Sequence, residues 1–350
     1  MKKTLKNFFL FIIFIISLFA CFLIYSTTTD YKPAPETVIY QAKADINKKI
    51  PLKKKLNFMT WNIGYCGLSK NMDFFYDGGK NVKPPEKIVK QNLSSIKNFI
   101  KKQTQIDFFL LQEVDIDSTR SYGINQYDEI KALFPEFNSS FGKNYDVAFV
   151  PVPMTSPMGR VLSGLQTLSA YLPESVIRHS FPGNYPWPQG LFMLDRCFLV
   201  NKYPLENGKQ FLIINTHNSA YDNGNLRKGQ MEYLAKFLTS EYQKGNYIIV
   251  GGDWNQCPPN FKPDFKDNIM DNKNRMNINN NFMPLWQWAY QNKIPTNRRV
   301  NIPYVKGKTR TTVIDFFLVS PNIDVMEIKG INLNFENSDH QPVRLSIILK

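Results

Sequence analysis

The sequence predicts an α/β protein in which two mostly antiparallel β-sheets stack face to face with helices outside. Three observations lead there. From residue 56 onward at least nine short apolar runs, rich in β-branched and aromatic residues, alternate with polar loops. Two stretches carry apolar residues at helical spacing. No repeat or shift of composition divides residues 56–350. Runs buried on both faces need cover on both sides, which stacked sheets with outer helices provide.

The chain opens with Lys2, Lys3 and Lys6, followed by an uncharged apolar run over residues 8–25 that is just long enough to span a bilayer. Residues 1–25 are read as a retained signal anchor, because the run continues past Ala20-Cys21 through Phe22, Leu23, Ile24 and Tyr25. Leu18-Phe19-Ala20-Cys21 keeps open a lipoprotein attached through Cys21, and a cleaved signal with a secreted product is the third reading. Each leaves the lysines cytoplasmic and exports the rest. Residues 26–55 hold Lys32-Pro33-Ala34-Pro35 and Lys53-Lys54-Lys55 without any period, and are expected to be a flexible tether. Residues 56–350 then form one catalytic domain. Strands are expected over 56–62, 107–113, 145–150, 166–171, 191–200, 211–217, 247–253, 312–320 and 343–349. A helix over 86–102 should bury Ile88, Leu93, Ile96 and Ile100, and one over 226–243 should bury Met231, Leu234, Phe237 and Leu238.

Composition excludes disorder and a multi-pass membrane protein, with 43% hydrophobic and 21% charged residues. The net charge of +14 suggests nucleic acid until it is partitioned. Half of it, +7, falls in residues 1–55, so the catalytic domain carries only a mild bias. Cys66, Cys197 and Cys257 lack CxxC or zinc-type spacing and indicate no disulfide framework.

The chemistry collects where strands end. Thr60-Trp61-Asn62 closes one, Leu111-Gln112-Glu113-Val114-Asp115 another, then Asn215-Thr216-His217-Asn218 and Gly251-Gly252-Asp253-Trp254-Asn255; Val313-Ile314-Asp315-Phe316-Phe317 and Ser338-Asp339-His340 follow. Two of the three histidines belong to this set. Carboxylates, amides and imidazoles at one rim offer oxygen ligands for a hard divalent cation and groups that move protons near neutral pH. Singly, each motif has a plainer explanation: a strand-terminal Asp is more often a cap, and a lone histidine a satisfied core residue.

Their order changes the odds. Asn, then QEV, TH, GDxN, the IDFF aspartate and SDH resembles the ordered signature of the endonuclease/exonuclease/phosphatase superfamily, and Ser163-Gly164-Leu165-Gln166-Thr167-Leu168-Ser169 is similar to its central strand. The resemblance covers essentially residues 56–350. It implies a four-layer α/β sandwich and phosphoester hydrolysis with a divalent metal, usually Mg²⁺, with Mn²⁺ or Ca²⁺ as alternatives. By the same resemblance Glu113 is a metal ligand with Asn62 beside it as a ligand or phosphate contact, and Asp339 a ligand of a possible second metal. Asp253 and Asn255 orient the attacking water and hold a phosphate oxygen. His340, partnered by Asp315, is the base or steadies the pentacovalent phosphate, and His217 serves the leaving group. The physical chemistry agrees: a cation neutralises the anionic oxygens that repel a nucleophile, and Asn62 and Asn255 donate hydrogen bonds without adding charge.

Departures from the common pattern mark candidate substrate contacts. Asn218-Ser219-Ala220-Tyr221-Asp222 places polar groups after His217, and Arg120 and Tyr122 follow the QEV motif. Arg196 sits among apolar neighbours, either paired in the core or aimed at phosphate. Long loops at 151–160 and 258–310 are placed to set substrate choice, and Trp286 and Trp288 in the second are read as packing residues before stacking platforms. The substrate expected first is a phosphodiester in a lipid headgroup, hydrolysed at the membrane by a monomer. A nuclease, an inositol-type phosphomonoesterase and an inactive surface-tethered binding module are the alternatives.

Overall fold

The structure, a computed structural model, describes residues 2–43, 49–220, 222, 224–265 and 277–350. Helix α1 (Lys2–Thr28) is followed by β1 (Glu36–Gln41), β2 (Lys55–Asn62), α2 (Glu86–Lys101), β3 (Phe108–Asp115) and α3 (Gln126–Lys131). Then come β4 (Asn138–Val150), β5 (Gly159–Ser169), β6 (Ser175–Ser180), β7 (Cys197–Pro204), β8 (Gln210–His217), α4 (Asn225–Gln243) and β9 (Tyr247–Asp253). The chain ends with β10 (Gln287–Ala289), β11 (Asn297–Arg298), β12 (Thr311–Thr312), β13 (Asp315–Val319), β14 (Ile323–Gly330) and β15 (Val343–Leu349). A seven-stranded sheet runs β1-β6-β7-β8-β9-β13-β10 and a six-stranded one β14-β15-β2-β3-β5-β4, with β11 and β12 as a separate pair. Each large sheet holds one parallel pair, β8–β9 and β2–β3 respectively, among antiparallel neighbours.

The strands alternate between two cores. Leu56 and Phe58 of β2, Phe108 and Leu110 of β3, Phe211 and Ile213 of β8, Ile249 of β9 and Phe317 and Val319 of β13 meet between the sheets. Residues of the opposite parity face outward. Leu212, Ile214, Ile248 and Val250 pack under Met231, Leu234 and Leu238 of α4, while Met59, Phe109 and Leu111 pack under Val89, Leu93, Ile96 and Ile100 of α2. The sandwich thus follows from period-2 alternation in strands that are buried on both faces. In α2 Val89 takes the place expected of Ile88, which is half-buried, and Phe237 is only partly covered in α4.

Several expectations are corrected. Residues 36–41, expected in the tether, form an edge strand paired with β6, and Ile50 is buried between the sheets. An edge strand needs only backbone pairing and a β-prone run, here Thr37-Val38-Ile39-Tyr40, so the absence of alternation did not exclude it. Residues 44–48 of that stretch lie outside the described residues. Residues 191–196, expected to open a strand, contribute to a 3-10 turn (Gln189–Phe192) before β7 begins at Cys197. Trp286 and Trp288 pack as expected: Trp286 lies 5.7 Å from Tyr242 and Trp288 5.4 Å from Trp254, ring to ring.

Gly251 and Gly252 close β9 for different reasons. A Cβ on Gly251 would lie 2.5 Å from the Phe317 ring, and one on Gly252, at φ +152°, 2.0 Å from the Thr216 carbonyl oxygen. Gly252→Ala is therefore expected to destabilise the domain by about 2–4 kcal/mol, read as a fall in the midpoint of chemical denaturation at unchanged slope.

Candidate active site

Polar residues replace apolar ones on the last rungs of the inner faces. On β2 the inward series runs Leu56, Phe58, Thr60, Asn62; on β8 Phe211, Ile213, Asn215, His217; on β9 Tyr247, Ile249, Gly251, Asp253. Both parallel pairs end at one rim, and the register sets His217 opposite Asp253 and Asp253 opposite Asp315. Glu113 reaches that rim through a bulge. Gln112 is inward by parity, so Glu113 would point outward, but the β3–β5 register slips between Leu111 and Val114 and Glu113 adopts φ +55°. Bulges re-aim side chains in this way, and the left-handed backbone is strain held by its surroundings. Asn255, at φ +49°, is turned similarly just after β9.

The groups interlock. Asn62 Nδ2 donates to Glu113 Oε1 and to Asp253 Oδ2, both at 3.0 Å, while its Oδ1 accepts from the Gly64 amide at 2.9 Å. Asn62, expected as a ligand or a phosphate contact, presents its nitrogen to the two carboxylates. Asp253 Oδ2 lies 3.4 Å from His217 Nε2 and 3.7 Å from His340 Nε2, and Asp253 Oδ1 accepts from the Asn255 amide at 2.9 Å. His340 Nδ1 is 2.8 Å from Asp315 Oδ2. With the proton on Nδ1, Nε2 accepts from Asn297 Nδ2 at 2.9 Å. Trp61 Nε1 donates to the His340 carbonyl at 3.0 Å, and Ser338 Oγ donates to the Asn62 carbonyl and accepts from the His340 amide.

Burial sets opposite electrostatics on the two histidines. Burial holds His217 well below the usual imidazole range, assisted by the positive charges of Arg196, His340 and Arg120. Burial opposes charge on His340 as well, but Asp315, Asp339 and Asp253 outweigh it and hold that imidazole well above its usual range. Burial also pushes Asp315 up to about 6 and, with Glu113 nearby, Asp339 up to about 7. Neighbouring groups driven apart in this way are what acid–base work requires. His179 stays out of the site, stacked 4.8 Å from the Phe198 ring, with burial lowering its pKa to about 4.

A cavity of about 370 Å³ opens over this cluster, lined by Glu113, His217, Asp253, Asn255, Asp339 and His340. Tyr65, Phe74, Tyr145, Met158, Met193 and Leu194 form an apolar wall. The expected substrate contacts divide. Arg196 lines the cavity. Arg120 lines it too, but its Nε and Nη2 donate to Asp115 at 3.1 and 2.9 Å, and its guanidinium lies 3.8 Å over the Tyr65 ring. Tyr122 is elsewhere, its hydroxyl donating to the Pro84 carbonyl. Asn218 acts through its backbone, whose carbonyl accepts from Asn255 Nδ2 at 2.8 Å. Tyr221 lies outside the described residues. Asn297 and Tyr65 were not anticipated; Arg298, from the long loop expected to set substrate choice, is buried, donating to the Ser69, Met72 and Ile302 carbonyls.

The donor set fits a hard divalent cation. Ligand atoms of Asp253, Asp315 and His340 lie within 4.8 Å of one another, with Glu113 and Asp339 on the same cavity. Because His340 Nδ1 and Asp315 Oδ2 already satisfy each other, the oxygens of Glu113, Asp339 and Asp253 are the better ligands, a set suited to Mg²⁺, Mn²⁺ or Ca²⁺.

The fold and this site fit the class of phosphoester hydrolases. The sequence profile of the Endonuclease/Exonuclease/phosphatase family matches residues 59–340, and the chain belongs to that family. Members hydrolyse phosphoester bonds and are generally dependent on divalent metals. No functionally curated protein matches the sequence. Among solved structures, an endonuclease/exonuclease/phosphatase from Beutenbergia cavernae is 15% identical with a TM-score of 0.56, over 84% of this chain and 72% of that one. ANGEL2, a 2',3'-cyclic phosphatase solved with adenosine-2',3'-vanadate, is 15% identical with a TM-score of 0.55, over 84% and 96%. The catalytic domain of human Nocturnin with bound sulfate is 15% identical with a TM-score of 0.53, over 85% and 94%. Likeness at this identity concerns the fold.

Crowded carboxylates make the metal-free site a source of instability. Millimolar Mg²⁺ or Mn²⁺ should raise the melting temperature by several degrees. Glu113→Gln should lose most of that increase while melting no lower than the unsubstituted protein without metal, measured by calorimetry with and without chelator.

Proposed function

We propose that this protein is a membrane-anchored phosphodiesterase that hydrolyses lipid headgroups by in-line attack of water, with Mg²⁺ as its metal. The observation that carries the reaction is Asp253 between two histidines, at 3.4 and 3.7 Å, with burial pushing the His217 imidazole below its usual range and the neighbouring carboxylates pushing His340 above it. Glu113 and Asp339 would hold the cation, with Asp253 beside them, and when bound it supplies neutralisation of the phosphate oxygens and of the charge built up in the transition state. Asp253 accepts a hydrogen bond from water and aligns it. His340 is held at Nδ1 by Asp315 and turns Nε2 toward the same space; when protonated there it donates to a nonbridging phosphate oxygen in place of accepting from Asn297. The proton that the attacking water gives up to Asp253 passes to the leaving-group oxygen, and His217, 3.4 Å from Asp253 and facing the same space, is placed to relay it. Asn255 completes the phosphate cradle, its amide turned by the Asn218 carbonyl.

Two features support a lipid. Helix α1 is long and apolar enough to cross a membrane, with its apolar stretch unburied, and Lys2, Lys3 and Lys6 at its start favour a catalytic domain on the non-cytoplasmic side. The apolar wall of Tyr65, Phe74, Tyr145, Met158, Met193 and Leu194 suits the uncharged part of a lipid more than a polyanionic backbone.

Full-length protein in lipid nanodiscs with Mg²⁺ is expected to release headgroups from phosphatidylcholine or sphingomyelin and to hydrolyse bis(p-nitrophenyl) phosphate, with little nicking of supercoiled DNA. His340→Ala and Asp253→Ala should each reduce both hydrolyses by about 10²–10⁴-fold with the fold intact. Retention of near-full rate by either variant overturns the site assignment, and salt-sensitive nicking that outruns headgroup release overturns the substrate.

A further inference from the structure

The geometry points to a bilayer-docking rim, formed by Val152, Met154 and Trp187 beside the end of α1, that presents the mouth of the catalytic cavity to the membrane. It rests on the reading of α1 as a membrane anchor and deepens the lipid proposal. Two loops make the rim, and each also lines the cavity. The loop between β4 and β5 carries Val152 and Met154 at its tip and Met158 on the cavity wall; the loop between β6 and β7 carries Trp187 and, further on, Met193, Leu194 and Arg196. Met154 is 89% exposed and Trp187 63%, and Val152 and Phe149 are exposed as well. Soluble surfaces rarely cluster side chains of this kind without something to cover them.

Continuity with α1 identifies the occupant as lipid. Phe22 stacks on Phe192 with centroids 5.8 Å apart and meets Phe149 edge-on at 6.2 Å, and Trp187 Nε1 donates to Thr27 Oγ1 at 3.3 Å. Phe22 lies three residues inside the end of the apolar run, about 4.5 Å at the helical rise of about 1.5 Å per residue. Phe149 and Phe192, which touch it, therefore sit at the boundary between acyl chains and headgroups, with Trp187 beside Thr27 just past it, where Trp and long apolar side chains partition well. From there the path inward is short: Phe192, whose carbonyl accepts from Tyr145 Oη at 2.7 Å, is followed directly by the cavity residues Met193 and Leu194. A lipid entering between these loops brings its phosphate toward Arg196 and His217 while its apolar portion stays against Tyr145 and Met158. The inference needs only that the domain hangs from the C-terminal end of α1, whichever side of the membrane that is.

The test uses the full chain in nanodiscs of phosphatidylcholine and phosphatidylglycerol. A bimane label at Met154→Cys in a Cys21→Ser background is compared with one at Met326→Cys, an exposed position on β14; Cys66, Cys197 and Cys257 are buried. At Met154 quenching by nitroxide-bearing lipid should be strong and quenching by aqueous iodide at least about fivefold weaker than at Met326. Iodide access at Met154 equal to that at Met326 overturns the rim. The triple variant Val152→Ser, Met154→Ser, Trp187→Ser should lower headgroup release about tenfold while leaving hydrolysis of soluble bis(p-nitrophenyl) phosphate unchanged. Unchanged headgroup release overturns the presentation of the mouth, and a loss of both activities traces the effect to folding and leaves the label to decide. A shielded Met154 in a protein that releases no headgroup would uphold docking and sink the lipid phosphodiesterase instead.

Discussion

Everything at the active rim depends on how the two sheets are held face to face just beneath it. There the inter-sheet core turns from rings and branched chains to amides: Gln112 Nε2 donates to Asn215 Oδ1 at 2.7 Å, and Asn215 Nδ2 donates to the Leu111 and Gln166 carbonyls. These side chains are buried, so each hydrogen bond left unmade would cost on the order of 1–3 kcal/mol. Apolar packing alone tolerates a slide of one sheet over the other; a directional amide lattice does not. With that spacing set, Asn62 on one sheet spans Glu113 on its own sheet and Asp253 on the other. The constellation is therefore a property of the interface between sheets.

The same parity explains what could be read from the sequence. Asn62, His217, Asp253 and Asp315 stand at the ends of strands whose apolar bodies are plain, and all share the inward phase, so order and alternation located them together. Glu113 was legible only through its motif, because the bulge that aims it leaves no mark in a hydrophobic pattern. Asn297 and Tyr65 were illegible for a different reason. They come from short irregular segments, and Asn297 reaches His340 only because a small antiparallel bridge forms between them. Tyr122 shows the converse case: nearness in sequence to the QEV motif carried it into the site, while its hydroxyl is held at the Pro84 carbonyl. Edge strands such as β1 and β14 escaped because their side chains are largely exposed and lack a buried phase.

The site is also where the fold stores cost. Non-glycine residues of the site, Glu113 and Asn255 among them, hold left-handed backbone, and Asp315 and Asp339 are buried carboxyls with raised pKa values. Each opposes folding and is tolerated because β3, β9 and β13 are anchored by large cores on both faces. Relief by substitution would be straightforward, and it would remove the anionic pocket that suits a divalent cation.

The arginines around the cavity bear on what enters it. A nucleic-acid channel offers cations to solvent along a track, so that phosphates can exchange with counterions. Here the guanidinium of Arg120 is bound to Asp115, that of Arg298 to backbone carbonyls, and that of Arg227 to Asp222 at 2.7 Å. They stiffen loops instead of forming a stripe. Of the overall +14, one half lies before residue 56, around α1 and the segment that follows it. A substrate held through one phosphate, at a cation bound by Glu113 and Asp339, with an uncharged remainder against Tyr65, Phe74 and Tyr145, fits this distribution of charge. A polyanion would bring many phosphates to a cavity in which Arg120, Arg227 and Arg298 are already engaged.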